Sequence, residues 1–159
     1  MKLKNLLTDV NVLKMNVDAE LEINALAYDS RKVTEGGMFV AITGFATDGN
    51  RFIPMAMEKG AVAVVTASKP TADVPYILVE SDRLALAQIG GNFYGKPADS
   101  MALIGITGTN GKTTTVTLLY RMFMALGYNC GLLSTIANYV GSRGTEAVNT
   151  TSDPITINS

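Results

Sequence analysis

Residues 101–127 carry the feature that most limits what this chain can fold into. Met101 to Thr107 is an apolar run. A glycine-rich turn follows, and then Lys112 to Leu126 places Val116, Leu119, Tyr120, Phe123 and Leu126 on one stripe at helical spacing, with Gly127 as the stop. Asn129 to Ser134 supplies the next apolar strand. Strand, tight loop, helix, strand is the opening of a parallel α/β sheet, so an α/β fold is expected.

The turn itself reads Gly105-Ile106-Thr107-Gly108-Thr109-Asn110-Gly111-Lys112-Thr113-Thr114-Thr115. Gly108 and Gly111 let the backbone curl so that successive N–H groups face one anion. The start of the following helix adds about half a positive charge. Lys112 can neutralise β- and γ-phosphates, and the Thr113 hydroxyl is an oxygen ligand of the kind Mg²⁺ prefers. A nucleoside polyphosphate with Mg²⁺ is therefore the expected ligand, with Lys112 the candidate catalytic cation and Thr113 the candidate metal ligand. The general phosphate-loop pattern has glycine where Ile106 stands, so this is a variant loop. The alternative is a strand-to-helix turn that binds nothing, but Gly-Lys-Thr in this setting is hard to explain by packing.

Upstream, strands and helices alternate. Lys2 to Leu13 has helical apolar spacing, and Glu22 to Ala27 reads as a short strand. Gly36-Gly37 turns the chain into a strand over Met38 to Ile42. Asn50 is placed to cap a helix carrying Phe52, Ile53, Ala56 and Met57 and stopped by Gly60. Ala61 to Thr66 and Tyr76 to Val79 read as strands, separated by Pro70 and Pro75. Ser81 or Asp82 starts a helix with Leu86, Ile89, Gly90 and Phe93 on its face, and Gly95-Lys96-Pro97 ends it. The Gly90-Gly91 pair either permits close packing or weakens that helix. A domain boundary falls near residues 96–100, giving domains 1–97 and 98–159, the second shorter than a nucleotide-binding α/β domain usually is.

The 13 basic and 14 acidic side chains leave a net charge of −1, which argues against nucleic acid or an anionic membrane surface as partner. There is no histidine, which removes imidazole general-base chemistry and most zinc sites. Cys130 is the single cysteine, read as a small core residue, and its isolation fits a cytoplasmic protein. The N-terminus lacks the form of a signal peptide, and no stretch is apolar for the ~18 residues that membrane insertion needs.

Thr107-Gly108-Thr109-Asn110-Gly111-Lys112-Thr113-Thr114 resembles the ATP loop of the Mur ligases, which add amino acids to the UDP-linked peptidoglycan precursor and whose loop also lacks the early glycine. Asp29-Ser30-Arg31-Lys32-Val33, then Gly37 to Ala41, resembles the UDP-binding first domain of the MurE and MurF branches. So does Gly44-Phe45-Ala46-Thr47-Asp48-Gly49-Asn50-Arg51-Phe52-Ile53, although the family usually has histidine or another polar residue at Asn50. Asn149-Thr150-Thr151-Ser152-Asp153-Pro154 is similar to a MurE segment, with serine for its first proline, and favours that branch. The resemblance covers the whole chain and about the first third of a family member.

The resemblance implies that Gly108, Thr109, Asn110, Gly111, Lys112, Thr113 and Thr114 bind ATP. It also implies that Tyr28, Ser30, Phe45, Ala46 and Thr47 hold the UDP-muramoyl dipeptide, and that Asn149, Thr150 and Thr151 touch its muramoyl-peptide side. Taken alone, Asp29-Ser30-Arg31 is equally an exposed turn, and Asn149-Thr150-Thr151 an ordinary loop or cap. The implied reaction is ATP-dependent amide formation between UDP-MurNAc-L-Ala-D-Glu and meso-diaminopimelate or L-lysine, through an acyl phosphate. The amino-acid-selecting and adenine-binding parts of the family lie beyond Ser159, so the chain alone is expected to lack ligase activity and to retain UDP binding. A MurF-type ligase, a UDP-sugar module without catalysis and a general phosphate-loop NTPase are the competing classes; folate polyglutamylating ligases share the loop but lack this first domain.

Overall fold

The computed structural model describes residues 1–44, 47–146 and 153–159, with Glu146 described in its backbone only. Two compact units are present, Met1–Ser100 with Asn158–Ser159, and Met101–Ile157. In the first, helix α1 (Leu3–Leu6) and strands β1 (Val12–Met15), β2 (Ala25–Ala27) and β3 (Gly37–Ala41) are followed by helix α2 (Ile53–Glu58), β4 (Ala61–Thr66), β5 (Tyr76–Val79) and helix α3 (Asp82–Phe93). The strands form one sheet in the order β1-β5-β4-β3-β2. From β2 to β5 every neighbouring pair is parallel, and β1 runs antiparallel to β5.

The apolar runs explain this layering. Every residue of β3 is buried, as expected of a strand covered on both faces. Phe39 and Ala41 pack with Ile53 and Ala56 of α2 and with Ala61 and Val64 of β4. A register shift, Gly37 opposite Ala61 and then Met38 opposite Ala63, lets Ala61 and Val64 meet the same cluster despite their odd spacing. Helix α3 packs on β3 and β4 and against α1, burying Ala85, Leu86 and Ile89 beside Leu3 and Leu6. It starts where Ser81 caps the Leu84 N–H at 3.3 Å, and its last turn gives way to Gly95 at φ +77. Asn92 of α3 donates to the Leu6 and Thr8 carbonyls at 2.9 and 2.7 Å, satisfying the end of α1.

Three local expectations change. The helix expected over Lys2–Leu13 stops at Leu6, because Asp9 turns left-handed at φ +64 and frees Val12–Met15 to pair with β5. The cap before α2 is Asp48 rather than Asn50: its carboxylate accepts from the Asn50 N–H at 2.9 Å and starts a 3₁₀ turn, Gly49–Phe52, that runs into the helix. Cys130 is half-buried rather than a core residue.

The second unit contains helix α4 (Lys112–Ala125) and strands β6 (Gly131–Leu132), β7 (Ala137–Val140) and β8 (Arg143–Glu146); helix α5 (Pro154–Asn158) lies near the C-terminus. The α/β class holds, but the β6-β7-β8 sheet is antiparallel. Met101–Thr107 forms no strand, since nothing among the described residues offers it a ladder, and Met101, Leu103 and Ile104 are exposed. The stripe of α4 is half-buried at Val116, Leu119, Tyr120 and Phe123 and exposed at Leu126. Tyr120 fastens α4 to the hairpin: its hydroxyl donates to the Gly141 carbonyl at 2.6 Å and its ring lies 5.4 Å from that of Tyr139.

Candidate functional site

The phosphate-loop sequence folds as a tight entrance to α4. Gly111 is the N-cap at φ +77, a left-handed conformation that a side chain would strain, and Gly108 sits at φ +146. The Thr115 N–H closes the first turn onto the Gly111 carbonyl at 2.8 Å. The N–H groups before it have no place in the helical ladder and are available to an anion. Lys112 folds back over the loop, its ammonium donating to the carbonyls of Gly108 at 2.6 Å and Thr109 at 3.4 Å. Gly108, Thr109, Asn110, Lys112 and Thr114 are exposed, while half-buried Thr113 places its hydroxyl 3.4 Å from that of Thr135. One short segment thus brings together a cation, a hydroxyl and helix-start amides outside the helical ladder, a set of groups suited to a polyphosphate.

No cluster of three or more metal-ligating side chains occurs among the described residues. The Thr113 hydroxyl fits Mg²⁺ as a single protein ligand, the remaining positions suiting phosphate oxygens and water.

In the first unit the parallel strands β2 to β5 aim their carboxyl ends at one rim, the edge where open α/β sheets bind ligands. Tyr28 follows β2 and is half-buried. Ser30 is buried, and its hydroxyl lies 3.3 Å from the thioether of Met55. Beside it, Arg31 clasps Asp29 with Nη2 to Oδ2 at 2.8 Å while remaining largely exposed. The Arg31 side chain, and then its backbone N–H, hold the Asp29 carboxyl down to about 2 from its ordinary 3.8. Thr47 is exposed on the same rim. Phe45, Ala46, Asn149, Thr150 and Thr151 lie outside the described residues.

The loop after β3 is fastened at both ends. At its start the Thr43 N–H donates to Asp82 Oδ2 at 2.7 Å, from the head of α3. At its far end Asn50 donates to Asp48 at 2.7 Å and accepts from the fully buried Thr66 hydroxyl at 2.6 Å. The Asn50 N–H, then its side chain, lower the Asp48 carboxyl below its ordinary range. An open hollow of about 360 Å³ adjoins this end, lined by Asp48, Asn50, Arg51, Ser68 and Lys69 among others. Asp48-Gly49-Asn50 was readable as a turn that bonds its own backbone. The roles of Thr66 and Asp82 carry no local signal, because each acts on a partner distant in sequence.

The family model described as Mur ligase family, catalytic domain, matches residues 22–94, and that described as Mur ligase middle domain matches residues 106–159. A UDP-N-acetylmuramoyl-L-alanyl-D-glutamate--2,6-diaminopimelate ligase from Cytophaga hutchinsonii is 44% identical over 99% of this chain and 33% of its own length. The enzyme of the same name from Bacteroides fragilis is 42% identical over 99% of this chain and 33% of its own. The chain thus spans about a third of the length of the curated relatives it matches. A solved structure of a 2,6-diaminopimelate ligase of this name shares the fold at a TM-score of 0.74 with 19% identity, covering 99% of this chain and 32% of that one. The MurF ligase from Thermotoga maritima in complex with ADP matches at a TM-score of 0.59 with 28% identity, over 85% of this chain and 29% of its own. Among the described residues no helix is long and apolar enough to cross a membrane. With two successive domains of one family matched in order along its length, the chain belongs to the Mur ligase family.

Proposed function

We propose that this chain is the N-terminal part of a cytoplasmic, ATP-dependent ligase that joins meso-diaminopimelate to the D-glutamate side-chain carboxylate of UDP-MurNAc-L-Ala-D-Glu, a step in peptidoglycan precursor synthesis. The observation that carries this reading is the 39–44% identity of nearly the whole chain to ligases of that name. Those names also favour diaminopimelate over lysine. Residues 1–97 serve as the UDP-sugar domain and 98–159 as the beginning of the ATP-binding domain.

In this reading Gly108 to Thr114 cradle the ATP phosphates, with Mg²⁺ supplying further charge neutralisation beside Thr113. Among the described residues the partners of Lys112 are loop carbonyls, so its ammonium can turn to the β- and γ-phosphates without breaking an ion pair there. Its work is electrostatic: it stabilises charge as the γ-phosphoryl passes to the substrate carboxylate. The diaminopimelate amine then attacks the acyl phosphate, and ADP and phosphate leave. Tyr28, Ser30, Phe45, Ala46 and Thr47 hold the nucleotide sugar, and Asn149, Thr150 and Thr151 its muramoyl-peptide side. The Ser30 hydroxyl is matched with a thioether, a weak acceptor, and loses little by exchanging it for a ligand oxygen.

The second reading is a MurF-type ligase, favoured by the 28% identity to the Thermotoga maritima structure. Calorimetric titration with UDP-MurNAc-L-Ala-D-Glu, the corresponding diaminopimelate tripeptide and UDP alone separates the two. Tighter binding of the dipeptide precursor is expected. Preference for the tripeptide would transfer the chain to the MurF reading, and equal affinity for all three would leave a UDP module. Binding of none would overturn the proposal.

A further inference from the structure

Asp82 is a buried carboxylate, 6% exposed, that no part of the proposed chemistry uses. It forms no ion pair among the described residues, so something else must repay its burial. Part of that repayment is its bond to the Thr43 N–H at 2.7 Å, and part is its position in the first turn of α3, where negative charge is favoured. The Thr43 bond reaches across one strand of the sheet. Asp82 follows β5 and Thr43 follows β3, while β4 runs between those two strands. At the carboxyl end of β4 stands Thr66, fully buried, whose hydroxyl takes hold of Asn50 at the other end of the same loop.

We propose that Asp82 is a positioning residue for nucleotide-sugar binding: by fixing the Thr43 N–H it sets where the loop leading from β3 to Thr47 leaves the sheet, while Thr66 and Asn50 set where it returns. The inference rests on the assignment of UDP-sugar binding to this rim. Asp82 needs no contact with substrate. Its effect is to hold the Thr43 end of the loop in place before ligand arrives.

Two substitutions separate this role from a generic contribution to α3. Asp82→Asn keeps an acceptor oxygen in place and removes the charge. Asp82→Glu keeps the charge at the helix start and moves the acceptor by one methylene. Each variant is titrated with UDP-MurNAc-L-Ala-D-Glu and with an ATP analogue, and amide hydrogen exchange at Thr43 is followed without ligand. The Asn variant is expected to bind the nucleotide sugar within about twofold of wild type. The Glu variant is expected to bind about tenfold more weakly, with faster exchange at Thr43 and unchanged ATP-analogue affinity. Wild-type affinity in the Glu variant, or equal loss in both, would overturn the inference. Should either variant lose its folded circular-dichroism spectrum, exchange at Thr43 in the other decides: protection in Asn supports the role, and protection in Glu refutes it. A wild-type chain that binds no nucleotide sugar defeats the functional reading itself, whereas a Glu variant that binds as wild type defeats this inference alone.

Discussion

The Lys112 ammonium donates to the Gly108 carbonyl at 2.6 Å, so the loop's one cation is held by the loop's own backbone. This contact is exposed, and a lysine so placed adds little to folding. Lys112→Ala is expected to leave thermal unfolding within about 0.5 kcal/mol of wild type and to weaken ATP-analogue binding by roughly 30- to 100-fold. Nucleotide-sugar affinity should not change. Paired titrations and a melting curve check all three.

Gly49 lies against the end of β3, where an added Cβ would stand 2.6 Å from the Ile42 carbonyl oxygen and 2.7 Å from its nitrogen. Both are backbone atoms and cannot swing aside. Gly49→Ala should cost about 1–3 kcal/mol in denaturant unfolding, because the turn has to move away from the strand.

Gly91 presents the opposite case. It sits within α3, and a Cβ there meets nothing within 4 Å. Gly91→Ala should raise stability by about 0.5–1 kcal/mol, from helix propensity and a less flexible unfolded chain. A higher denaturation midpoint at unchanged slope is the expected result.

Asp29 gives the fold an acid limit with a defined sign. Its carboxyl is held at about 2 in the folded state against an ordinary 3.8. The folded state therefore favours the ionised form. The resulting stability is fully present above pH 3.8 and is lost as pH falls through about 2. Asp29→Asn should flatten the dependence of melting temperature on pH across that window and leave it unchanged near neutrality. A scan of melting temperature from pH 5 to about 2 tests this.

The sequence shows most plainly what is local. Ser81 before an apolar helical stripe, with Gly95 after it, defines α3 closely, and the uninterrupted Ala61-Val62-Ala63-Val64-Val65-Thr66 defines β4. The phosphate loop is legible because its glycines, lysine and threonine are contiguous. What sequence hides is pairing at a distance. Val12–Met15 continues a helical pattern and becomes a strand only because β5 offers it an edge. Met101–Thr107 looks like a strand and lacks that offer among the described residues. The same holds for the rim: Ser30 and Thr47 stand out as polar residues after strands, but the bond from Asp82 to Thr43 joins positions 39 apart and has no signature in either segment.

The strand order has a consequence for how the sheet is made. Strands β3, β4 and β5 each lie beside the strand that precedes them in the chain, so the sheet can grow by one neighbour at a time as the polypeptide leaves the ribosome. The exception is β1. It is synthesised first, yet its strand partner among the described residues is β5, the last strand of the sheet to emerge. Closing so large a loop is slow and entropically costly. The earliest strand must therefore stay unpaired until the others have formed, and its arrival completes the first unit.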